Sequence, residues 1–541
     1  MKNSKFIVAI FALFFMLVGC SDEVLVENPP HFIGADNLYV DVAGFEAGLN
    51  GLYALYRRER GGESSFDDTN DLLIDIAIAG TDNAYGNQRS GWNRVGNEYN
   101  VRNTAEDAHN RRFFEWLYEI INSANTIIGR AENPSIDWTE AEKNRVIGEA
   151  RLFRAWAYRH ATYLYGDVPL SLVEATGSTV KSDWTRTPVA DVRAQMLEDL
   201  LFAEAHLPET SGNDGKVVKG VATHYLAELY LALDDYPKAI TKANNLINDG
   251  VHSLITERYG VKANEPGTPF TDIFLDGNSN KSEGNTEALW VMQNELETNG
   301  GGTNIMRRWL RNRSHSIKVN GKSGSIIFSV ENGGRGLGRT GPTQFALELY
   351  EPADDRGGVH AWRTYEVLNN PEKVPSDFAV GDTIWFDWEG KIEPDRKADW
   401  PSTRKWDYAN PNDLAGSKNY NDQVYLRLAE TYLVLAEAQL KNSDPSGAAI
   451  TLNVLRARAN ASEINSGDVT IDFILDERSR ELWSEEHRRY ALVRNNKFLE
   501  RTQLYSRRYG KNAAEKDKLL PIPQSVIDAN TIKMDQNFGY N

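Results

Sequence analysis

Two stretches far apart in the chain carry the same pattern, and no other feature narrows the fold as much. The first is Ala222–Leu233, rich in small and apolar residues, then a turn carrying Asp, then Pro237–Ile247. The second is Tyr425–Ala438, a turn carrying Asp, then Pro445–Leu455. Each later segment holds Pro in its first turn, where the missing N–H costs nothing. Alanine-rich seams let two antiparallel helices approach closely. A unit of this kind cannot bury its apolar face alone and must stack on further helices.

The arrangement resembles the tetratricopeptide (TPR) helix pair. Helical periodicity recurs elsewhere. Phe45–Tyr56 places apolar residues at i, i+4 and i+7, and Arg111–Arg130 repeats the pattern. A long helix is expected over Glu140–Tyr165, about 39 Å at 1.5 Å per residue, stopped by Gly166 and Pro169. Another covers Val189–His206 and ends before Pro208. Residues 61–105 are rich in Gly, Asn and Asp and read as loop, with a helical turn or two near Leu72–Ile78.

Between Tyr259 and Asp422 the chain is rich in Gly, Asn, Pro and Trp, with short β-like pieces at Gly324–Val330 and Thr383–Trp388. That is too long for a plain loop. The expected class is therefore mainly α. A TPR-like scaffold over 45–258 and 423–541 carries an irregular, loop-rich insertion over 259–422. Recognition sites often lie on loops that a rigid frame positions.

The first segment, Met1–Cys20, begins with Lys2 and Lys5 and continues as the apolar run Phe6–Val18. The run is shorter than the ~20 residues that span a bilayer and has the layout of a secretory signal. It ends in Leu17-Val18-Gly19-Cys20, which resembles a lipobox. Cys20 is the only cysteine, whereas secreted proteins usually pair theirs. Lipidation of Cys20 accounts for both facts; an ordinary signal peptide that happens to contain a cysteine is the alternative. Ser21-Asp22-Glu23 resembles the acidic surface-export signal of Bacteroidetes lipoproteins. Residues 21–44, with Asn28-Pro29-Pro30, read as an extended tether. With 77 acidic against 60 basic residues and a net charge of −17, the chain suits neither nucleic acid nor anionic lipid. The lipid is then the only expected membrane contact.

Motifs for chemistry are missing or incomplete. Gly321-Lys322-Ser323 lacks the glycine a phosphate loop needs five positions earlier. Gly336-Leu-Gly338-Arg-Thr-Gly341 matches G-x-G-x-x-G, but Pro342 follows and no βαβ pattern surrounds it. Nine histidines include no H-E-x-x-H pair. Ser178-Thr-Val-Lys181 matches S-x-x-K without its partner motifs. No catalytic residue, metal site or cofactor is expected.

Several blocks in order resemble the SusD/RagB family of outer-membrane nutrient-binding lipoproteins. They are Glu149–Tyr158 with Leu164–Leu170, Leu426–Ala438, Leu452–Ala459, Ile474–Leu482, and Leu520–Ser525 through Gln536–Tyr540. Glu486 and Ala491 depart from the Gly and Asp usual there. The resemblance implies a TPR-containing scaffold with a variable, loop-rich face. It implies a surface-exposed lipoprotein of the outer membrane, lying over a SusC-like TonB-dependent transporter. Such a protein captures oligosaccharide or polysaccharide, or peptide in some branches, and acts as a lid without performing chemistry. A surface lipoprotein glycoside hydrolase is a further reading, since carboxylate pairs meet only in space.

The family shares no motif for its ligand positions, so candidates come from chemistry. A glycan presents C–H faces and hydroxyl rims, which call for exposed aromatics flanked by Asp, Asn or Arg. Asp82, Asn83 and Tyr85 with Trp92 fit in the first polar loop, and Arg307 with Trp309 in the insertion. Trp362, Trp385 and Trp388 are further candidates, each of which reads equally as insertion core. Trp116, Trp156 and Trp483 are expected in the core.

Overall fold

Several helices begin where the sequence supplies a cap. Asp41 accepts from Gly44 N at 2.8 Å and opens α1, Val42–Arg57. Asp107 opens α2, Ala108–Arg130. Thr139 and Glu142 form a reciprocal capping box at the start of α3, Glu140–Tyr165. Then come α4, Val189–His206, and α5, Lys219–Ala232. Asp235 and Asp444 cap α6, Tyr236–Ile247, and α8, Pro445–Arg458; α7, Leu428–Lys441, lies between. The chain continues through α9, Ile471–Leu482, α10, Arg488–Arg494, and α11, Phe498–Tyr505.

This computed structural model describes residues 34–61, 73–86, 98–298, 300–393, 398–416, 419–506 and 510–540. Cys20, the signal segment and most of the expected tether lie outside them. The described end of that tether is not extended: a helical turn spans Ala35–Leu38 and α1 begins at Val42. No helix of the described residues is long and apolar enough to cross a membrane.

Neighbours in the sequence pack as neighbours in space from α2 to α6, and α6 then packs on α7, which packs on α8. The α6–α7 contact joins the two helix pairs into one stack, although the insertion separates them in sequence. Ala239 and Ala243 on α6, Ala436 on α7 and Ala448 on α8 are fully buried in this stack. The helical, TPR-like class read from the sequence is the one observed.

The insertion is stapled into the scaffold rather than merely mounted on it. Its strand Ala288–Met292 pairs antiparallel with Gln423–Arg427, directly before α7, and every residue of both strands is buried. Trp290 stacks on Tyr56 of α1 at 4.3 Å and 9°. The charged end of the ribbon is neutralised: Arg427 donates to Glu485 at 2.6 Å and to Glu287 at 2.7 Å.

Elsewhere the insertion uses ribbons of two or three residues, including Tyr365–Val367 with Thr383–Trp385. Gly324–Val330 is not a strand. Its backbone is held by side chains instead: Asn369 Oδ1 accepts from Ile327 N at 2.8 Å, and Asn370 Nδ2 donates to Gly324 O at 2.6 Å. A second core forms from Trp309, Trp362, Trp400 and Trp406 of the insertion with Trp483 after α9.

Candidate functional site

The first polar loop turns out to be a structural joint. Asp82 is fully buried, and Arg488 Nη2 and Arg501 Nε both donate to it at 2.7 Å. Burial pushes its carboxyl up, but the two guanidiniums outweigh that and hold it below the usual carboxylate range. The Asn83 carbonyl accepts from Thr343 N at 2.9 Å and Trp483 Nε1 at 3.1 Å, and Ser479 Oγ donates to its side chain at 2.6 Å. Tyr85 is 1 % exposed, in a strand paired with Thr340–Pro342.

The insertion candidates are buried as well. Arg307 is 1 % exposed and donates to Arg335 O, Gly416 O and Asn419 Oδ1, tying three loop segments together. Trp309 lies beneath the Arg339 guanidinium, 5.0 Å from the ring centre. Trp362 packs edge-on against Trp483 at 4.9 Å. Burial takes Asp82, Asn83, Tyr85, Arg307, Trp309 and Trp362 away from direct stacking on a ligand. Trp92 lies outside the described residues. Trp116, Trp156 and Trp483 are in the core as expected, each 1 % exposed.

Trp385 is the exception. Among the described tryptophans it alone is exposed, at 62 %. The alternation of strand side chains explains why. In the ribbon Tyr365–Val367/Thr383–Trp385, Glu366 points inward to Arg311, 3.0 Å away, and Ile384 opposite it packs inward too. Tyr365 and Trp385, directly opposite each other, therefore share the outer face, with ring centres 4.8 Å apart. Such a pair is a stacking surface of the kind a sugar face requires. Arg404 lies over Tyr365 at 5.8 Å.

The ground beside this pair is rich in arginine. Residues 303–341 hold six arginines and two lysines against one glutamate, in a chain of net charge −17. This local reversal of sign is legible in the sequence and marks the face better than loop context does. Arg311 and Arg363 are neutralised by Glu366 and Asp407. Burial, then the charge of its neighbours Arg311 and Arg308, pulls the Arg307 guanidinium down to about 10. Burial, then Arg313 and Arg335, pulls His315 down to about 4.

Other hollows offer less. A cavity of about 20 Å³ walled by Trp156, Arg159 and Tyr225 holds little more than a water. An open cleft of about 660 Å³ is lined by Glu204, Lys219, Lys242 and Asp249, without an aromatic ring. Glu59, His160 and His487 bring ligand atoms within 4.8 Å of one another. However, Glu59 already pairs with His487, and Arg159 Nη1 lies 3.4 Å from His487 Nδ1. With Arg60 also acting on Glu59, positive charge opposes a cation, and the cluster works as a buried hydrogen-bond node.

A TPR-like stack that presents a loop-built aromatic face defines a helical-scaffold binding protein. Comparison with known proteins carries this further. The profile of the SusD family matches residues 382–540, and that described as "Starch-binding associating with outer membrane" matches residues 62–231. The chain is 37% identical to the starch-binding protein SusD of Bacteroides thetaiotaomicron, over 79% of this chain and 78% of that protein. It is 26% identical to SusD-like protein P2 of Formosa agariphila, over 99% of this chain and 100% of that one. The crystal structure of a SusD homolog from Bacteroides thetaiotaomicron matches the fold with a TM-score of 0.72 at 19% identity, covering 96% and 99% of the two chains. A laminarin-binding SusD-like protein matches with a TM-score of 0.69 at 20% identity, over 92% and 99%. The chain belongs to the SusD family.

Proposed function

We propose that this protein captures oligosaccharide or polysaccharide at the outer surface of a bacterium and passes it to a SusC-like TonB-dependent transporter, without chemistry on the ligand. The observation that carries this is the outward-facing pair of half-buried Tyr365 and exposed Trp385 on a family scaffold. Two relatives bear names that state starch and laminarin binding, which supports a glycan as ligand here. A lipid on Cys20 anchors the chain, and the body acts as a lid over the transporter. Closure is favoured where ligand is buried better in the closed state than in the open one. Trp92 of the first polar loop remains a proposed glycan contact in addition to Trp385.

The test is a glycan panel incubated with the full chain, read for affinity and for new reducing ends. Affinity without reducing-end release supports capture; release would make the protein a hydrolase. Pull-down from outer membranes is expected to recover a TonB-dependent barrel, and its absence would overturn the transporter partnership. Metabolic labelling with a lipid precursor, lost on Cys20→Ala, checks the anchor.

A further inference from the structure

We propose that the arginine-lined face beside Tyr365 and Trp385 takes an anionic glycan, whose sulfate or carboxylate groups are held by Arg313, Arg335 and Arg404. This rests on the glycan-capture reading above and names the substrate class.

Three observations carry it. First, the positive charge is local and in surplus. The chain as a whole is acidic, yet 303–341 runs strongly the other way. Second, the surplus is unneutralised at its outer edge. Arg356, Arg427, Arg488 and Arg501 elsewhere are each held by at least one buried carboxylate. The half-buried side chains of Arg313, Arg335 and Arg404 make neither an ion pair nor a hydrogen bond among the described residues. Their Nε atoms are buried without a partner. Glu366 and Asp407 act on Arg404 but are bonded to Arg311 and Arg363, so the three guanidiniums lack a bonded counterion of their own, and such a surplus raises the local concentration of anions. Third, the segments that carry these side chains lie close together: the charges of Arg313 and Arg335 both act on His315. Arg335 N donates to Leu414 O at 3.0 Å, which lays its segment against the loop that follows Arg404. Arg307 Nη1 donates to Arg335 O at 2.6 Å. Arg404 in turn covers Tyr365, the inner ring of the aromatic pair.

The chemistry fits an anion better than a neutral sugar. Hydroxyl rims are read by amides such as Asn and Gln, which both donate and accept, and by carboxylates such as Asp, which accept. Guanidinium only donates, and its planar fork matches two oxygens of a sulfate or carboxylate. Stacking on Tyr365 and Trp385 supplies the part of recognition common to all glycans. The arginines supply the part that selects charge. Burial is the main reason His315 stays low, and the charges of Arg313 and Arg335 add to it, which agrees with the geometry.

The experiment measures affinity of the full, detergent-solubilised chain for three sets of probes. These are neutral glycans (starch, laminarin), sulfated glycans (carrageenan, fucoidan, chondroitin sulfate) each beside its desulfated form, and polyuronates (alginate, pectate). The expected result is binding to a sulfated or uronate glycan at least ~10-fold tighter than to its uncharged counterpart, weakening with added salt as exposed charge pairs do. Whichever anionic set binds identifies the group recognised. Arg335→Gln, whose side chain makes no polar contact among the described residues, is expected to cost about tenfold on the anionic probe alone; Arg404→Gln, which also uncovers Tyr365, is expected to cost at least that much on the same probe. Equal affinity for charged and uncharged forms, with both variants unchanged, would overturn the proposal while leaving glycan capture intact. Failure to bind any glycan would instead remove the capture reading on which it rests.

Discussion

Arg488 closes a fork on Asp82, with Nε donating to one carboxylate oxygen at 2.9 Å and Nη2 to the other at 2.7 Å. Both side chains are fully buried, and Arg501 Nε donates to the same carboxylate at 2.7 Å. Asp82→Asn removes the one carboxylate that the two guanidiniums share, leaving Arg488 with Glu486 and Arg501 with Asp472 and Asp476. Breaking one member of a buried ion-pair set costs ~3–5 kcal/mol. The urea midpoint is expected to fall accordingly, while glycan affinity of the folded fraction stays as it was. Unchanged stability with weakened binding would return Asp82 to the ligand.

Trp385→Ala tests the opposite expectation. The ring is 62 % exposed and packs mainly on Tyr365, so its removal is expected to shift stability little. Truncating a central aromatic contact in an interface typically costs ~1–2 kcal/mol, or about 5- to 30-fold in affinity. Calorimetric titration of the preferred glycan reads the loss directly. Tyr365→Ala is expected to follow it, because each ring holds the other in place across the ribbon. Affinity equal to that of the unaltered chain in both variants would place the glycan elsewhere.

Stability is expected to decline on mild acidification. Burial holds His160 well below its ordinary range, with His487 and Arg159 adding to the effect. Burial lowers His224 as well. Both are neutral in the folded chain and take up a proton in the unfolded chain near pH 6.5. Below that pH the unfolded state binds more protons, so stability falls as pH drops from about 7 toward 5 and is flat above. For His160 the slope approaches about 1.4 kcal/mol per pH unit. Urea midpoints at pH 7.5, 6.5 and 5.5 check the sign, and a midpoint that rises toward pH 5.5 would contradict it. His160→Gln is expected to flatten the dependence.

The scaffold was legible because its signals are local. α3 and α4 have the bounds expected, and Thr139 with Glu142 marks the start of α3 within four residues of sequence. The site was not, because its determinants are remote. Asn83 looks like a loop residue until Thr343 and Trp483 bond to its carbonyl from far along the chain. The Tyr365–Trp385 ribbon inverts the usual alternation. Its inward residue is the charged Glu366, satisfied by Arg311, and its outward residues are aromatic. A pattern rule that sends charge outward reads such a ribbon backwards. Loop context had already made Trp385 a candidate without separating it from Trp362 and Trp388, and charge sign over 303–341 was a second pointer, since it needs no knowledge of contacts.

The alanine seams make the last case, because they separate tight packing from mere hydrophobicity. Ala436 on α7 is fully buried in one cluster with Ala448 and Leu452 of α8. Its small size sets how closely the two helices lie. Ala436→Leu adds apolar surface, which area alone would count as stabilising, but the seam has no room for it. Overpacking of this kind costs ~1–3 kcal/mol and forces side chains off their rotamers. Ile450 on the same α8 is 70 % exposed. Ile450→Ala removes apolar surface that water already reaches, and such exposed changes stay within about 0.5 kcal/mol. Denaturant midpoints of the two variants should therefore rank against hydrophobicity: the chain that gains a leucine is expected to be the less stable. If Ala436→Leu unfolds later than Ile450→Ala, the seam is looser than these contacts imply, and the stack is held by its outer faces instead.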